Sequence, residues 1–187
     1  MALLEIKKLG CETLKAVTRE VNSVTDEIRQ LVDDMFETMY AAEGIGLAAP
    51  QVGTSDRIVV LDVTPSVPGF EPRTLINPRV VWTAGEVVGE EGCLSLPGIA
   101  GDVKRAAQVK IEALDREGEL QTMDFDGIAA RAAQHEIDHL DGVLVIERFN
   151  TIRRNLLRNQ LKKLRREGVQ QDPGPVFVSV ERMKSGV

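Results

Sequence analysis

The chain contains two histidines, and both stand in one stretch, His-Glu-Ile-Asp-His, at positions 135–139. Residues four apart on a helix share one face, so His135 and His139 can bind one metal ion together, with Glu136 beside it. Histidines at this spacing can also be ordinary core or surface residues. Because there is no third imidazole in the chain, a catalytic metal here needs sulfur or oxygen as its third protein ligand.

Candidates for that third ligand stand on both sides of the histidine pair. Downstream, Glu147 follows the pair by eight residues, Glu167 lies in a basic segment, and Glu181 lies near the end of the chain; none is a strong candidate. Upstream, Cys93 stands in a loop-like segment, residues 91–98. A lone cysteine is more often a buried, inert thiol. Beside two imidazoles, however, a thiolate completes a three-ligand site that leaves a fourth position for water.

Two helices are predicted upstream of and within the histidine stretch. Apolar residues recur at helical spacing over positions 28–39, which predicts an amphipathic helix of about four turns. Thr25 or Ser23 can cap its first turn, and the helix is expected to stop near Gly44, where a glycine-hinged loop begins. The alanine-rich residues 128–140 predict a second helix, which carries both histidines.

Runs of β-branched and apolar residues predict strands between these helices. They are Ile58–Leu61, Thr74–Ile76, Val80–Trp82 and Val109–Leu114. A turn signal at residues 115–118 joins the last run to residues 120–123, which predicts a hairpin. Strands first and helices last favour an α+β domain over a βαβ sheet. We expect mixed, mainly antiparallel sheets around a central helix that carries the histidines, with an amphipathic helix near the C-terminus.

That C-terminal helix lies in a strongly basic segment, residues 152–167, which we call the basic helix. The segment holds seven cations and one anion, a local charge of +6, whereas the whole chain carries −6. Its apolar positions are expected on one face: Ile152, Leu156, Leu157, Leu161 and Leu164. Beyond it, residues 168–187 form a tail in which residues 176–178 are expected to be an edge strand or mobile.

Length and composition limit the class of protein. The 187 residues with 43% hydrophobic content suit one globular domain. No apolar run approaches the roughly 18 residues of a membrane span, and the four-residue apolar stretch at the N-terminus is too short for the core of a signal peptide. Two cysteines, Cys11 and Cys93, do not make a disulfide framework. We therefore expect a soluble protein of the cytoplasm, and an organellar origin is also compatible with these features.

Three segments resemble the three sequence motifs of peptide deformylases, in the family's order and with similar spacing. They are residues 44–51, 91–95 and 134–140. The resemblance extends to about residue 166 and implies a catalytic domain over residues 1–167. The implied activity is that of a metallohydrolase, which removes the N-terminal formyl group from formyl-methionine of newly made polypeptides and releases formate.

The resemblance implies a metal centre and a proton-transfer residue. Cys93, His135 and His139 would hold one Fe²⁺ ion, which Zn²⁺, Ni²⁺ or Co²⁺ can replace. Glu136 would handle protons. This agrees with the chemistry of the residues, because a bound metal lowers the pKa of its water until a nearby carboxylate can take the proton at neutral pH.

The resemblance also implies how the substrate is held. Gln51 and the backbone N–H of Leu94 would form the oxyanion hole, where charge on the formyl oxygen needs donors fixed beforehand. Ile45 and Ile128 would border an apolar pocket for the first methionine side chain. Gly46 would let the loop backbone approach an extended peptide.

Four further residues are interpreted alongside these motifs. Where some relatives of the family have an arginine, this chain has Ala100, so any substrate contact by that arginine is absent. Asp138 and Arg105 are expected to pair and steady the histidine helix. Arg131 is expected at the rim of the pocket or as a solvated helix charge. Cys11, on a segment without other candidate ligands, is expected to be a structural thiol.

The implied partners are formyl-methionine nascent peptides. The basic helix either docks on the ribosome or is a solvated charged face, and neither a membrane nor specific DNA binding is expected. Two other functions remain open at the level of sequence. One is an HExxH peptidase that cuts internal bonds, which predicts a third ligand downstream and a wider cleft. The other is a noncatalytic module that binds RNA through the basic helix, with a metal that only stabilises the fold.

Overall fold

A computed structural model describes residues 2–170 of the chain. The strands are β1 Gly46–Ala48, β2 Ile58–Leu61, β3 Arg73–Ala84, β4 Val87–Gly92, β5 Ala100–Arg105, β6 Gln108–Leu114 and β7 Leu120–Asp126. The helices are α1 Asp26–Ala41, α2 Gly127–Leu140, α3 Val145–Arg148, α4 Thr151–Leu156 and α5 Arg158–Val169. The predicted α+β class is therefore confirmed. No helix within the described range is long and apolar enough to cross a membrane.

Both sheets are antiparallel. Strands β1, β2, β3, β6 and β7 form the larger sheet in that order, and β4 pairs with β5 in the smaller one. The predicted hairpin is confirmed as β6–β7, and its turn contains a hydrogen bond from Gly118 N to Asp115 O of 3.1 Å. Helix α2 packs against β1, β2, β6 and β7. The larger sheet therefore supports the helix that carries both histidines.

Helix α1 follows the predicted apolar stripe. Ile28, Met35 and Met39 are fully buried, as expected for the core-facing side of an amphipathic helix. Thr25 is the N-cap, since its Oγ1 accepts a hydrogen bond from Ile28 N of 3.5 Å. The helix ends at Ala41, and the loop that follows leads into β1 on the cavity side of the larger sheet.

Strand β3 corrects the prediction of two separate strands at Thr74–Ile76 and Val80–Trp82. The two runs belong to one strand, which has a register shift between Ile76 and Arg79. Asn77 has a positive φ of 55° there. Its side chain accepts a hydrogen bond from Val21 N and donates one to Val21 O, so the irregular backbone is held by partners outside the strand.

The smaller sheet was not predicted, and part of the segment interpreted as a loop belongs to it. Glu91 and Gly92 are the last two residues of β4. Most of β4 is exposed on both faces, so it lacks the apolar alternation that marks a half-buried strand. Cys93 lies in the turn that directly follows the strand.

The basic helix is not one continuous helix. It is broken at Leu157 into α4 and α5, so side chains before the break no longer align with those after it. Leu157 and Leu164 are buried as predicted, whereas Ile152 and Leu156 are 73% and 75% exposed. Helix α5 continues to Val169, two residues past the expected domain boundary, and the predicted edge strand at 176–178 lies outside the described residues.

Candidate active site

Helix α2 and the turn after β4 bring together the three predicted metal ligands. His135 and His139 lie one helical turn apart, with ring centroids separated by 5.1 Å. The Sγ atom of Cys93 lies 3.2 Å from Nε2 of His139. One candidate donor atom from each of the three residues lies within 4.8 Å of the other two. Residues 93, 135 and 139 thus form a compact donor cluster from two separate elements.

The donor set fits a divalent transition metal. A thiolate with two imidazoles suits iron, zinc, nickel or cobalt better than magnesium or calcium, which prefer oxygen ligands. Nδ1 of His135 lies 3.0 Å from Oε2 of Glu91, which fixes the ring so that its other nitrogen is directed away from that carboxylate. Burial and the nearby His135 keep the pKa of His139 well below its usual value, so its ring is neutral and able to bind a metal.

Glu136 is a buried carboxylate beside this cluster. Its Oε2 atom has no hydrogen-bond partner within the described part of the chain. Burial, reinforced by the charge of Glu91 and opposed by that of His135, raises the pKa of Glu136 to about 7. A carboxyl group with such a pKa can both take and return a proton near neutral pH.

The glycine at position 46 makes room for that carboxylate. A Cβ atom on Gly46 would lie 2.7 Å from Oε1 and 2.8 Å from Cγ of Glu136. Such distances are shorter than van der Waals contact, so a larger residue would push the glutamate out of position. The close approach of β1 to α2 therefore depends on the absence of a side chain here.

Gln51 lies in a 3₁₀ turn, residues 49–52, directly after β1. Its Oε1 accepts a hydrogen bond from Ala48 N of 2.8 Å. Its Nε2 lies 3.6 Å from Cys93 Sγ and 3.4 Å from Ser95 Oγ. The amide donor of Gln51 is thereby fixed next to the donor cluster, and Leu94 follows Cys93 in the adjoining turn.

An open cavity of about 570 Å³ leads to the cluster. Its walls are the loop before β1, the segment from β4 to the start of β5, and one side of α2. The sequence-predicted residues that line it are Ile45, Gly46, Gln51, Cys93, Leu94, Ile128, His135 and Glu136. His139 lies behind them and is buried. A chain segment can therefore reach the donor cluster from solvent along this cavity.

Glu91 has a central place that sequence reasoning missed. It is buried and accepts hydrogen bonds from Arg105 Nε at 3.0 Å, Arg105 Nη2 at 2.9 Å and Arg131 Nη1 at 2.7 Å. Burial alone would raise the pKa of Glu91, but hydrogen bonds with His135 and Arg105 hold it at about 2. The parity of β4 would have pointed this side chain inward, but that strand was not recognisable from its pattern.

The arginines around Glu91 extend the network to the other side of α2. The predicted pair is present, with 2.6 Å between Arg105 Nη1 and Asp138 Oδ2, and Arg148 also binds Asp138. Arg131 lines the cavity, as one of the two expectations held. It is buried rather than solvated, and it donates to the carbonyls of β4 and β5 as well as to Glu91.

Cys11 behaves as the structural thiol that was expected. It is buried, and its Sγ lies 3.3 Å from the carbonyl oxygen of Gly168. The glycine allows close packing, because a Cβ atom there would lie 2.3 Å from Leu9 O. The end of α5 therefore packs directly on the N-terminal segment.

An α+β fold with a Cys-His-His donor set and a buried glutamate at the base of an open cavity defines the class of metal-dependent hydrolases. The family model for polypeptide deformylase matches residues 3–155. The chain therefore belongs to the polypeptide deformylase family of enzymes. This contradicts the alternative of a noncatalytic RNA-binding module, and the position of Cys93 upstream of the histidines disfavours an HExxH peptidase with a downstream ligand.

Individual relatives match over nearly their whole length. The peptide deformylase of Thermodesulfovibrio yellowstonii is 45% identical over 162 residues, which cover 87% of this chain and 98% of that protein. The peptide deformylase of Desulfitobacterium hafniense is 49% identical over 148 residues, or 79% and 95% of the two chains. The crystal structure of peptide deformylase from Thermus thermophilus has a TM-score of 0.82 with 37% identity, covering 89% of this chain and 99% of that one.

Proposed function

We propose that this enzyme removes the formyl group from the N-terminal formyl-methionine of newly synthesised polypeptides and releases formate. The observation that supports this most is the buried carboxylate of Glu136 next to the Cys93, His135 and His139 donor cluster, at the base of a cavity open to solvent. We also propose that residues 1–167 act as the catalytic domain, that residues 168–187 form a tail, and that the enzyme works in the cytoplasm.

In the proposed reaction Glu136 transfers protons. A divalent metal held by Cys93, His135 and His139 would lower the pKa of a water molecule and polarise the formyl oxygen. Glu136 takes a proton from the water that attacks the formyl carbon, and returns it to the departing amine. Its raised pKa of about 7 suits both steps, because neither protonation state is strongly favoured at neutral pH.

The other residues of the cavity hold the substrate. The amide of Gln51 and the backbone N–H of Leu94 donate hydrogen bonds to the formyl oxygen as it gains charge, and each such donor is worth about 3 kcal/mol of barrier in comparable sites. Ile45 and Ile128 pack on the methionine side chain. Gly46 lets the peptide backbone lie beside β1 as an added strand.

We propose Fe²⁺ as the metal, with Zn²⁺, Ni²⁺ and Co²⁺ able to substitute. A mixed set of one thiolate and two imidazoles accepts all four ions, and affinity alone does not select iron among them. Metal analysis of protein purified without oxygen would identify the bound ion. An iron content well below one per chain, with another metal filling the difference, would overturn this part of the proposal.

We further propose that the basic helix docks on the ribosome, where nascent chains emerge. Four of its cations line a groove of about 570 Å³: Arg154, Arg158, Lys162 and Arg165. None of the four has an ion-pair partner among residues 2–170. Unpaired cations on a groove attract phosphates with an affinity that falls steeply with salt, and a solvated face would not show that dependence.

The docking proposal is tested by changing all four cations of the groove to glutamate. Co-sedimentation with ribosomes at low salt should then be lost, while turnover of a free formyl peptide stays near normal, because the groove lies outside the catalytic cavity. Unchanged co-sedimentation would refute docking through this helix.

The proposed activity itself is tested with three short peptides that differ at one group. Formyl-Met-Ala-Ser should release formate, whereas acetyl-Met-Ala-Ser and a longer peptide with a blocked N-terminus should stay intact. Cleavage of an internal bond in the longer peptide would instead indicate an endopeptidase. Release of no product from any of the three by metal-replete protein would reject the proposal.

A further inference from the structure

Two glutamates at the mouth of the cavity have no partner for their carboxylates. Glu43 lies in the loop after α1, and Glu90 lies on β4. Both are exposed and line the cavity. Among the residues that the structure describes, neither side chain makes an ion pair or a hydrogen bond. Their charges are therefore available to a molecule that enters the cavity.

No cation lining the cavity neutralises these two charges. Arg131 is the one cationic residue among the lining residues, and its charge is balanced by Glu91 at 2.7 Å. Position 100, also on the cavity wall, is alanine rather than arginine. The electrostatic potential at the mouth is thus set mainly by Glu43 and Glu90, and it is negative.

We propose that Glu43 and Glu90 make the enzyme selective for formyl peptides with lysine or arginine at the residues that follow the formyl-methionine. This inference rests on the proposed deformylase function and deepens it, because removal of the formyl group by itself requires only the first residue. Glu43 and Glu90 belong to separate walls of the cavity, the loop before β1 and strand β4.

The geometry of an extended peptide fits this arrangement. Successive side chains of an extended chain point to opposite sides and advance by about 3.3 Å per residue. The second and third residues of a substrate whose first residue fills the apolar pocket are thus presented to different walls. An acidic residue at either position meets a like charge, whereas a basic residue meets an opposite one.

The test compares formyl-Met-Lys-Lys, formyl-Met-Ala-Ser and formyl-Met-Glu-Glu, all with amidated C-termini. Exposed ion pairs are individually weak, so two of them predict a kcat/KM roughly 10-fold higher for the lysine peptide than for the glutamate peptide at low salt. The difference should lie in KM rather than kcat, and it should shrink as salt screens the charges.

Matched variants assign the effect to these two residues. The double change Glu43→Gln and Glu90→Gln should reduce the ratio to about 2 or less. Glu119→Gln removes the same kind of exposed charge outside the cavity and should leave the ratio as it is. Ala100→Arg, which adds a cation to the cavity wall, should also lower the ratio.

The outcomes separate this inference from the function on which it rests. Equal kcat/KM for all three peptides, with formate released from each, would overturn the selectivity but leave deformylation standing. The selectivity would also be wrong if Glu119→Gln lowered the ratio as much as the double variant. Failure of the wild-type enzyme to deformylate even formyl-Met-Ala-Ser would overturn both.

Discussion

Replacing Glu91 by glutamine should weaken both the fold and the metal site, although the two side chains have the same shape. The carboxylate is 6% exposed and accepts hydrogen bonds from Arg105 and Arg131 at 2.7–3.0 Å. A glutamine turns one acceptor into a donor that faces a guanidinium, and it leaves two buried arginines with less compensating charge. Removing one partner of a buried ion pair costs about 3–5 kcal/mol.

The pKa of Glu91 supplies a second route to the same magnitude. Its value of about 2 in the folded protein lies below the usual 4.5, and this difference corresponds to about 3 kcal/mol of stability. Because the folded pKa is depressed, that stability is present above pH 4.5 and is lost as the pH falls toward 2. The wild-type protein should therefore lose more stability across this interval than Glu91→Gln does.

Metal affinity should fall as well, because Glu91 orients the ring of His135 through its Nδ1 atom. Loss of such a partner typically reduces metal affinity 10- to 100-fold. Urea unfolding of the metal-free protein and competition of a chelator for Ni²⁺ measure the two effects separately. Glu90→Gln, which makes the same chemical change on the exposed neighbour, is the control and should alter neither.

The reasoning about Glu91 would be refuted by either of two results. One is a Glu91→Gln protein whose free energy of unfolding at pH 7 lies within about 0.5 kcal/mol of wild type, the range of ordinary surface changes. The other is a chelator competition curve that matches wild type.

Three further predictions concern the donor cluster and its neighbours. Cys93→Ser should lose bound metal together with activity, because an alcohol is a poor ligand for iron or zinc; full metal content in that variant would exclude Cys93 as a ligand. Gly46→Ala should lower kcat by roughly 10-fold or more, since its Cβ would lie 2.7 Å from Oε1 of Glu136, whereas Gly69→Ala, at a site with open space, should keep normal kcat. The Fe²⁺ enzyme should lose activity in air within hours while the Ni²⁺ form persists, because iron next to a thiolate promotes oxidation of both; equal decay of the two forms would argue against this reactivity.

Local patterns were sufficient to predict the elements that hold the donor cluster. The apolar stripe of α1 and the hairpin β6–β7 follow from spacing and turn residues alone. The i, i+4 histidines on α2 restricted the search for a third ligand to sulfur and oxygen, and the structure brings Cys93 to that place. These features depend on residues close in sequence or on the scarcity of a residue type.

Features that depend on distant partners could not be predicted in this way. Strand β4 is mostly exposed and shows no alternation, so its inward residue Glu91 was not recognised. The contacts of Glu91 lie 14, 40 and 44 positions away in the sequence. The irregularity in β3 is stabilised by Val21, which lies 56 residues from Asn77. The break at Leu157 likewise has no glycine or proline to mark it.

The most direct test of the account is the release of formate from formyl-Met-Ala-Ser by metal-replete Glu136→Gln protein, measured beside wild type with the metal content of both determined. The variant should keep its metal and its fold, since Glu136 is not a ligand, and it should lose the proton transfer. We predict a fall in kcat of at least about 100-fold at equal metal content. Near-normal formate release by the metal-replete variant would contradict the role of Glu136 and, with it, the proposed mechanism.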